Sequence, residues 1–527
     1  MLWLRGGEVL DGTGTQPVRA DVVIAGGAVH ALLPASDQTV PAPNDDVLDI
    51  SGLTVTPGFI DMHAHADLAL VRDTALAHTL AQGVTTQVVG QDGIAYAPVD
   101  DVTLPLVRRQ IRAWNGDLPD EQYTWRTFAG YLSRLSHGTA TNAVVLVPHS
   151  NLRLLAAGAA ARPVAPAELA VMTGLLEDAL AAGGRGMSSG LTYPPGMYAD
   201  RRELVALCRV LARHDSFWAP HTRSYGVGAL DAYREAIQIA GEAGCGLHLT
   251  HATMNFAENR GRAPELLALV DDAIADGVDV TLDSYPYLAG ATTLAALLPG
   301  WVSSGGADEV RKRLGDADVR QRVRRALDVD GSDGAHGAVV DWTSIQISSV
   351  ERALLAHLVG HSVDELAKVV GQPPSEVALN LLVADDLGTG ILMHVGDEEN
   401  VRTIMAHDSH CGGSDGIAVG GRPHPRAWGT FPRFLGRYAR DLGIVDMPSM
   451  VAHLTARPAR RLGLADRGLV RTGYRADLVV LDPATVGSPA TYEDPTAPPT
   501  GIVHVLVNGS VAVREGRRTA ALAGTVL

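Results

Sequence analysis

The sequence is poor in lysine and in cysteine. Of its 43 lysine and arginine residues, only two are lysines, Lys312 and Lys368. The three cysteines, Cys208, Cys245 and Cys411, are odd in number and provide no disulfide framework. This pattern favours a reducing, cytoplasmic location. The scarcity of lysine also leaves few candidates for any mechanism that depends on a lysine side chain.

Long apolar runs and excess positive charge are also missing. No run of about 18 apolar residues occurs, so no membrane span is predicted, and the first residues lack the pattern of a signal peptide. The formal net charge is −16, which argues against nucleic-acid binding because such binding needs a basic surface. We therefore expect a small-molecule ligand, and neither a nucleic acid nor a membrane as a partner.

The 527 residues, 46% of them hydrophobic, exceed one ordinary domain and predict a large core. A barrel of about 250 to 400 residues with a smaller domain fits this length. Both chain ends contain short strands and glycine-rich turns, including a predicted Gly-Gly hairpin at 20–29. We predict that residues 1–55 and 470–527 form one small β-sandwich domain beside a central domain of residues 56–469.

Between the two ends, short apolar strands alternate with helical patterns, which is typical of βα units around a parallel sheet. The eight predicted strands are residues 59–65, 85–90, 143–149, 186–191, 217–223, 246–252, 278–285 and 411–415. Eight strands favour a (β/α)8 TIM-like barrel, with helices at 166–182, 201–214 and 229–243 separating several of them. The interval of about 290–405 is too long for one helix and is predicted to be an insertion after the seventh strand.

The carboxyl ends of these strands carry residues that can bind a metal. His63 and His65 are two positions apart on the first strand, so their side chains point the same way. The other candidates follow the second, fifth, sixth and eighth strands: Asp92, His221, His251 and Asp415. Barrel active sites lie at this end of the strands. Nitrogen and oxygen ligands suit zinc, with other divalent transition metals as substitutes.

Each candidate alone has an ordinary structural explanation. A single histidine such as His221 or His251 is more often a hydrogen-bonded structural residue. Asp415 follows two glycines and could belong to a turn, and Asp92 could cap the turn after the second strand. The prediction of a centre with one or two zinc ions depends on finding all of these candidates at strand ends, in barrel order.

Five motifs carry a resemblance to a known family. They are VTPGFIDMHAH (55–65), SGLTYPPG (189–196), DSYPY (283–287), GSDG (413–416) and PHPRAWGTFPR (423–433). With the order His-x-His, two later histidines and a final aspartate, they resemble the amidohydrolase superfamily and, more narrowly, the D-aminoacylase (N-acyl-D-amino-acid deacylase) family. The resemblance implies a metal-dependent hydrolase that cleaves N-acyl-D-amino acids to a carboxylate and a D-amino acid.

Two positions depart from the family pattern. The family usually has a cysteine as the bridging ligand after the second strand, where this chain has Asp92, a harder ligand than a thiolate. The family typically has a lysine near the substrate, where this chain has Thr253. Other superfamily members bridge two metals with a carbamylated lysine on the fourth strand, and that strand has no lysine here.

The resemblance and the chemistry of amide hydrolysis assign roles to these residues. Asp92, His221 and His251 are expected to hold the main metal, with the His-x-His pair completing that site or forming a second, weaker one. Asp415 is expected to act as general base and then as general acid.

The residues expected to bind the substrate are Tyr193, Arg223, Tyr285, Ser189 and Arg426. Because Thr253 replaces the family's lysine, a related hydrolase of cyclic amides, imides or small peptides is the alternative. A non-catalytic metal-binding protein is a third hypothesis.

Overall fold

A computed structural model describes residues 1–72 and 76–527. The chain begins with β1 (Leu2–Arg5), β2 (Glu8–Val9), β3 (Val18–Ala25), β4 (Ala28–Pro34), β5 (Asp46–Asp49) and β6 (Thr54–Pro57). The predicted hairpin joins β3 to β4 through Gly26 and Gly27, whose φ angles are 59° and 79°. Glycine adopts these angles without the steric cost that a side chain would add, which explains the Gly-Gly pair at this turn.

Parallel strands form the wall of the barrel. They are β7 (Phe59–Asp61), β8 (Val84–Val89), β9 (Asn142–Val145), β10 (Val147–Pro148), β11 (Gly186–Gly190), β12 (Phe217–His221), β13 (Gly246–Leu249) and β14 (Val280–Ser284). β9 and β10 are two parts of the third strand, and the N–H of Leu146 between them still donates to Val89 on β8. The strands are almost entirely buried, as expected for a sheet with both faces covered.

Helices follow the strands and cover the barrel. They are α1 (Ala69–Arg72), α2 (Ala77–Ala81), α3 (Thr103–Asn115), α4 (Phe128–Leu135), α5 (His149–Ala157), α6 (Pro166–Ala181), α7 (Arg201–Arg213), α8 (Ala229–Ala243) and α9 (Ala263–Ala275). The three helices predicted from sequence match α6, α7 and α8 to within one residue. Local signals set their starts: Pro166 opens α6, and the Asp200 side chain caps α7 by accepting the N–H of Glu203.

The insertion after β14 has its own sheet and core. β15 (Gly290–Thr293), β16 (Ile345–Ser349) and β17 (Gly390–Met393) are antiparallel, with β17 in the middle. The helices here are α10 (Gly300–Ser303), α11 (Ala307–Leu314), α12 (Ala317–Arg325), α13 (Val363–Val370) and α14 (Pro374–Ala384). Buried residues including Leu297, Val310 and Leu379 form a core separate from that of the barrel.

The next helix, α15 (Glu398–Met405), contacts α9, β14 and the last barrel strand, β18 (His410–Gly412). It is therefore a barrel helix, and the predicted end of the insertion near residue 405 is one helix too late. β18 pairs with β14, and the N–H of Met62 donates to Gly412 at 3.1 Å. These bonds close the ring of eight strands, so the barrel class predicted from sequence agrees with the structure.

The chain ends with α16 (Arg426–Arg433), α17 (Met447–Leu454), α18 (Ala456–Arg461), β19 (Leu478–Leu481), β20 (Ile502–Val507), β21 (Ser510–Arg514) and β22 (Arg517–Arg518). β19 pairs antiparallel with β6, so strands from both chain ends share one ten-stranded sheet. Within the described residues, no helix is both long and apolar enough to cross a membrane.

Candidate metal centre

Six side chains converge at the carboxyl end of the barrel, and all six were predicted from sequence as metal ligands. They are His63 and His65 after β7, Asp92 after β8, His221 at the end of β12, His251 after β13 and Asp415 after β18. All six are buried. Several strands end earlier than predicted, because most of these residues lie beyond the last hydrogen-bonded residue of their strand.

Asp92 is at the centre of the cluster. Its Oδ1 lies 3.6 Å from Nε2 of His63, 3.4 Å from Nε2 of His251 and 3.7 Å from Nδ1 of His221. Its Oδ2 lies 3.6 Å from Nε2 of His65. One carboxylate therefore faces four imidazoles, which agrees with a ligand that could bridge two metal positions.

Asp415 faces the His-x-His pair from the eighth strand. Its Oδ1 lies 3.1 Å from Nε2 of His65 and 3.7 Å from Nε2 of His63. Two groups of potential ligand atoms result: His63, Asp92 and His251, and His63, His65 and Asp415. They share His63, whose Nε2 can bind only one ion, so a second ion would depend on the remaining ligands of the cluster.

The atoms that face the middle of the cluster fit a metal. Nε2 of His63 and Oδ1 of Asp92 are buried without a hydrogen-bond partner in the part of the chain that the structure describes. Buried polar atoms normally have such a partner, and an ion is one explanation where they do not. Nitrogen and carboxylate oxygen are also the ligand atoms that zinc binds.

The backbone at this centre is strained. Asp92, His251 and Asp415 have positive φ angles of 55°, 32° and 47°. Left-handed backbone costs a residue with a side chain about 1 to 3 kcal/mol, and such residues are concentrated at functional sites. Three of the six cluster residues therefore adopt a backbone that the surrounding structure must stabilise.

Two buried aspartates outside the cluster hold its loops in place. Asp61 accepts the N–H of Ser414 at 2.8 Å, next to Asp415. Asp283 accepts the N–H of His251 at 3.0 Å through one oxygen, and its other oxygen lies 2.9 Å from Nε2 of His248. These contacts fix the backbone on both sides of the cluster.

The electrostatics of the cluster follow from burial and from close carboxylates. Burial lowers the pKa of His63 to about 4 even though Asp415 and Asp92 oppose it. Burial also acts against protonation of His251, but Asp92 outweighs it and raises that pKa to about 9. Because a histidine must be neutral to bind a metal, ion binding at His251 would release a proton.

Arg426 was predicted as a substrate ligand and lies directly beside the cluster. It is fully buried, its Nη1 is 2.9 Å from Oδ2 of Asp415, and its guanidinium lies 4.6 Å from the ring centre of Tyr285. None of its side-chain nitrogens forms a well-directed hydrogen bond within the described residues. This guanidinium retains donors that a carboxylate could accept.

A cavity, here called the metal cavity, opens over the cluster. Asp92, His221, His251 and Asp415 line it from the barrel. Tyr193 and Tyr285, both predicted from sequence, also line it, and so does Thr253, the residue in place of the family's lysine.

Three of the five predicted substrate ligands, Arg426, Arg223 and Ser189, do not line the metal cavity. Arg426 lies against Asp415 and Tyr285, which do line it. For Arg223 and Ser189, the structure corrects the predictions. The Arg223 guanidinium donates to Glu235 and to the carbonyls of Met197 and Ala199. These contacts use one donor on each of its three side-chain nitrogens. The Ser189 hydroxyl is buried and accepts the Nε1–H of Trp218 at 2.7 Å. Both side chains serve the packing around the barrel.

His336, which was not predicted from the sequence as a site residue, lines the metal cavity and comes from the insertion. Its ring centre lies 6.5 Å from that of His221, and its backbone carbonyl accepts the hydroxyl of Ser224 at 3.1 Å. Burial lowers its pKa to about 3. The local sequence offers only the neighbouring glycines Gly334 and Gly337, which suggest a turn. Nothing in the sequence indicates which part of the insertion packs against the barrel, so a role for His336 could not be predicted.

The fold and the centre define a class of metal-dependent barrel hydrolases, and comparison with known proteins identifies the family. A family model described as amidohydrolase family matches residues 46–513. The chain therefore belongs to the amidohydrolase family. Within it, full-length similarity places the chain in the D-aminoacylase family, which confirms the resemblance seen in the motifs.

Three relatives illustrate the similarity. D-aminoacylase of Alcaligenes xylosoxydans xylosoxydans is 36% identical over 529 residues, covering 100% of this chain and 97% of that protein. N-acyl-D-glutamate deacylase of the same organism is 35% identical over 534 residues, covering 99% and 98%. The solved structure of N-acyl-D-glutamate deacylase from Bordetella bronchiseptica, complexed with zinc and a phosphonate that mimics the tetrahedral intermediate, has a TM-score of 0.83 at 32% identity and covers 100% and 99%.

Proposed function

We propose that this chain is a metal-dependent hydrolase that cleaves the amide bond of N-acyl-D-amino acids to a carboxylate and a D-amino acid. The main support is the convergence of the six predicted ligands in one buried cluster. The chain carrying them is similar over its full length to D-aminoacylase and N-acyl-D-glutamate deacylase. The preference for D substrates comes from these relatives.

The proposed metal ligands are the six residues of the cluster: His63, His65, Asp92, His221, His251 and Asp415. Zinc is the proposed ion, with one or two bound, because the ligand atoms suit it and the Bordetella relative was solved with zinc. A bound divalent ion supplies a nucleophilic water at neutral pH and polarises the amide carbonyl. Asp92 stands where the family's cysteine would be, and its four imidazole neighbours support a central role.

Asp415 is the proposed general base and acid. His65 and Arg426 contact its two oxygens, at 3.1 and 2.9 Å, so the orientation of the carboxylate is fixed. It accepts a proton from the attacking water in the first step and delivers that proton to the leaving nitrogen in the second. One carboxylate can serve both steps because the leaving amine needs the proton that the water has lost.

Arg426 and Tyr285 are the proposed anchor for the α-carboxylate of the substrate. The guanidinium is buried and retains donors, and a guanidinium can bind a carboxylate through two parallel hydrogen bonds. Tyr193 also lines the metal cavity. Thr253 cannot supply the positive charge of the family's lysine, so Arg426 carries more of the recognition in this chain.

We also propose a division into a β-domain of residues 1–55 and 470–527 and a barrel domain of residues 56–469, supported by the pairing of β6 with β19. The proposed location is the cytoplasm, supported by three buried free thiols, Cys208, Cys245 and Cys411. The net charge of −16 supports a small-molecule substrate in place of a nucleic acid.

A substrate panel tests the proposed reaction. Zinc-loaded protein is assayed with N-acetyl-D-leucine, N-acetyl-L-leucine, hydantoin and dihydroorotate, and released amine or ring opening is measured. Cleavage of the D-amide, well above that of the L-amide and the cyclic amides, is expected. Faster opening of a cyclic amide would overturn the proposal in favour of the cyclic-amide alternative, and absence of all turnover from metal-loaded protein would favour a non-catalytic role.

A further inference from the structure

A second cavity, here called the side cavity, lies beside the metal cavity. Its lining is mostly apolar and includes Leu106 and Trp114 on α3, Leu154 on α5, and Ala296, Leu298 and Val310 from the insertion. It therefore lies between the barrel helices and the insertion. The roles proposed above for the metal centre leave this apolar space unused.

The two cavities share a wall. Tyr193 lines both of them, and its hydroxyl forms a 3.1 Å hydrogen bond with Thr292. Thr292 lines the metal cavity, and the next residue, Thr293, lines the side cavity. The Trp114 ring lies 5.0 Å from the Tyr193 ring and 5.3 Å from the His65 ring, between centres. A single layer of side chains thus separates the side cavity from the metal centre.

The direction of the substrate follows from the positions around the barrel. Tyr193 follows β11, the fourth strand, whereas Asp415 follows β18, the eighth strand, and Arg426 lies against Asp415. In an eight-stranded ring, the fourth and eighth strands are on opposite sides. The amide nitrogen of the substrate carries the α-carbon and its carboxylate, and the carbonyl carries the acyl group. With the carboxylate at Arg426, the acyl group is directed toward Tyr193.

We propose that the side cavity binds the acyl chain, and that the substrates are N-acyl-D-amino acids with long apolar acyl groups. This inference rests on the proposed function and adds the acyl preference to it. For the acyl chain to pass between the two cavities, the Tyr193 ring must turn aside and its hydrogen bond to Thr292 must break. Apolar lining favours a hydrocarbon chain because its transfer from water is favourable in proportion to the area buried.

A series of acyl lengths tests the proposal on the zinc-loaded, full-length enzyme. N-acetyl-, N-hexanoyl- and N-decanoyl-D-leucine are compared by kcat/KM. An increase of about three- to fourfold for each methylene that enters the cavity is expected. Equal or falling kcat/KM with length, together with good turnover of the acetyl substrate, would overturn the acyl inference and leave the proposed function standing.

Variants that fill the side cavity make the test specific. Ala296→Phe is expected to lower kcat/KM for the decanoyl substrate about tenfold or more and to leave the acetyl substrate within about twofold. Ala353→Phe is the matched control, since Ala353 is exposed on the same insertion and is not part of the cavity wall. Val310→Phe replaces Ala296→Phe if thermal melting shows that the latter does not fold.

Two further outcomes separate this inference from the proposed function. If Ala296→Phe slows substrates with long D side chains and spares long acyl chains, the cavity holds the side chain and the inference is overturned. If no N-acyl-D-amino acid is cleaved, the proposed function fails. Calorimetric titration with decanoate then tests whether the side cavity binds an acyl chain. Binding that Ala296→Phe weakens, and Ala353→Phe does not, supports an acyl site; unchanged or absent binding overturns it.

Discussion

Oδ1 of Asp92 lies 3.4 Å from Nε2 of His251, and the two atoms face the same point. Two ligands at about 2.0 Å from a tetrahedral zinc ion are about 3.3 Å apart. The separation of these two atoms therefore already matches that of two ligands on one ion. Two residues that are distant in sequence thus have the spacing that metal binding requires, with little rearrangement.

Asp92→Ala is expected to lower zinc content because it removes the carboxylate at the centre of the cluster. Loss of an outer-shell partner typically lowers metal affinity by about 10- to 100-fold. Loss of a direct ligand should lower the zinc affinity of the tighter site by at least as much. Metal content after dialysis, measured by mass spectrometry, checks this. Asp101→Ala is the control, because Asp101 is exposed and pairs with Arg126 on the protein surface. Full zinc occupancy in Asp92→Ala would contradict its assignment as a ligand.

Asp415→Asn is expected to lose activity while keeping at least one metal ion. The amide has nearly the same shape as the carboxylate but cannot accept the proton from the attacking water. Loss of general acid–base catalysis costs about 10²- to 10⁴-fold in rate. Steady-state kinetics and metal analysis on the same preparation check this, and a variant with full turnover would show that another group is the base.

Glu203→Ala is expected to destabilise the fold. Glu203 is fully buried and contacts Arg153, which is also buried, and Nε2 of His149 at 2.7 Å. Removing one partner leaves a buried charge uncompensated, which costs about 3 to 5 kcal/mol. Urea denaturation measures the free energy of unfolding. In contrast, Glu242→Ala breaks only partly exposed pairs with arginines and should cost less than about 1 kcal/mol.

Stability is expected to fall in acid partly because of Asp117. Burial acts to raise the pKa of this carboxyl, but hydrogen bonds from Arg108, Tyr123 and Arg112 outweigh burial and lower the pKa to about 2. The folded pKa is thus below the unfolded value of about 3.9. The stabilisation is complete above about pH 5 and is lost as the pH falls from about 5 to about 1.

Because Asp117 is partly solvated, this contribution should be about 1 kcal/mol. Asp117→Asn should remove it, so the free energy of unfolding of the variant should change less than that of the parent between pH 5 and 3. Parallel denaturation curves at each pH make the comparison. The same slope in both proteins would show that Asp117 does not titrate with folding.

The sequence alone was enough to predict the barrel and the six candidate ligands of the metal centre. Most strands are short runs rich in apolar residues, α6 and α7 have local start signals in Pro166 and Asp200, and each proposed metal ligand ends or follows a strand. In a parallel barrel, all carboxyl strand ends meet at one mouth. Local patterns were therefore enough to predict that residues as distant as His63 and Asp415 would lie together.

Only the tertiary structure decided which other side chains reach the site. Arg223 and Arg426 were both predicted from the sequence as substrate ligands, but Glu235 on α8 holds the first, while the second lies against Asp415. His336 could not be predicted because the packing of the insertion on the barrel depends on long-range contacts. Arg109 on α3, paired with Asp308 and Asp386 of the insertion, is one such contact.

The side cavity also results from the packing of the insertion on the barrel. Leu106 and Trp114 come from a barrel helix, and Leu298 and Val310 come from the insertion, so each segment supplies only part of the wall. Local sequence determines strands, helices and caps because those depend on neighbouring residues. The shape of a cavity depends on how separate segments pack. The side cavity therefore exists only in the tertiary structure, where the insertion packs against the barrel.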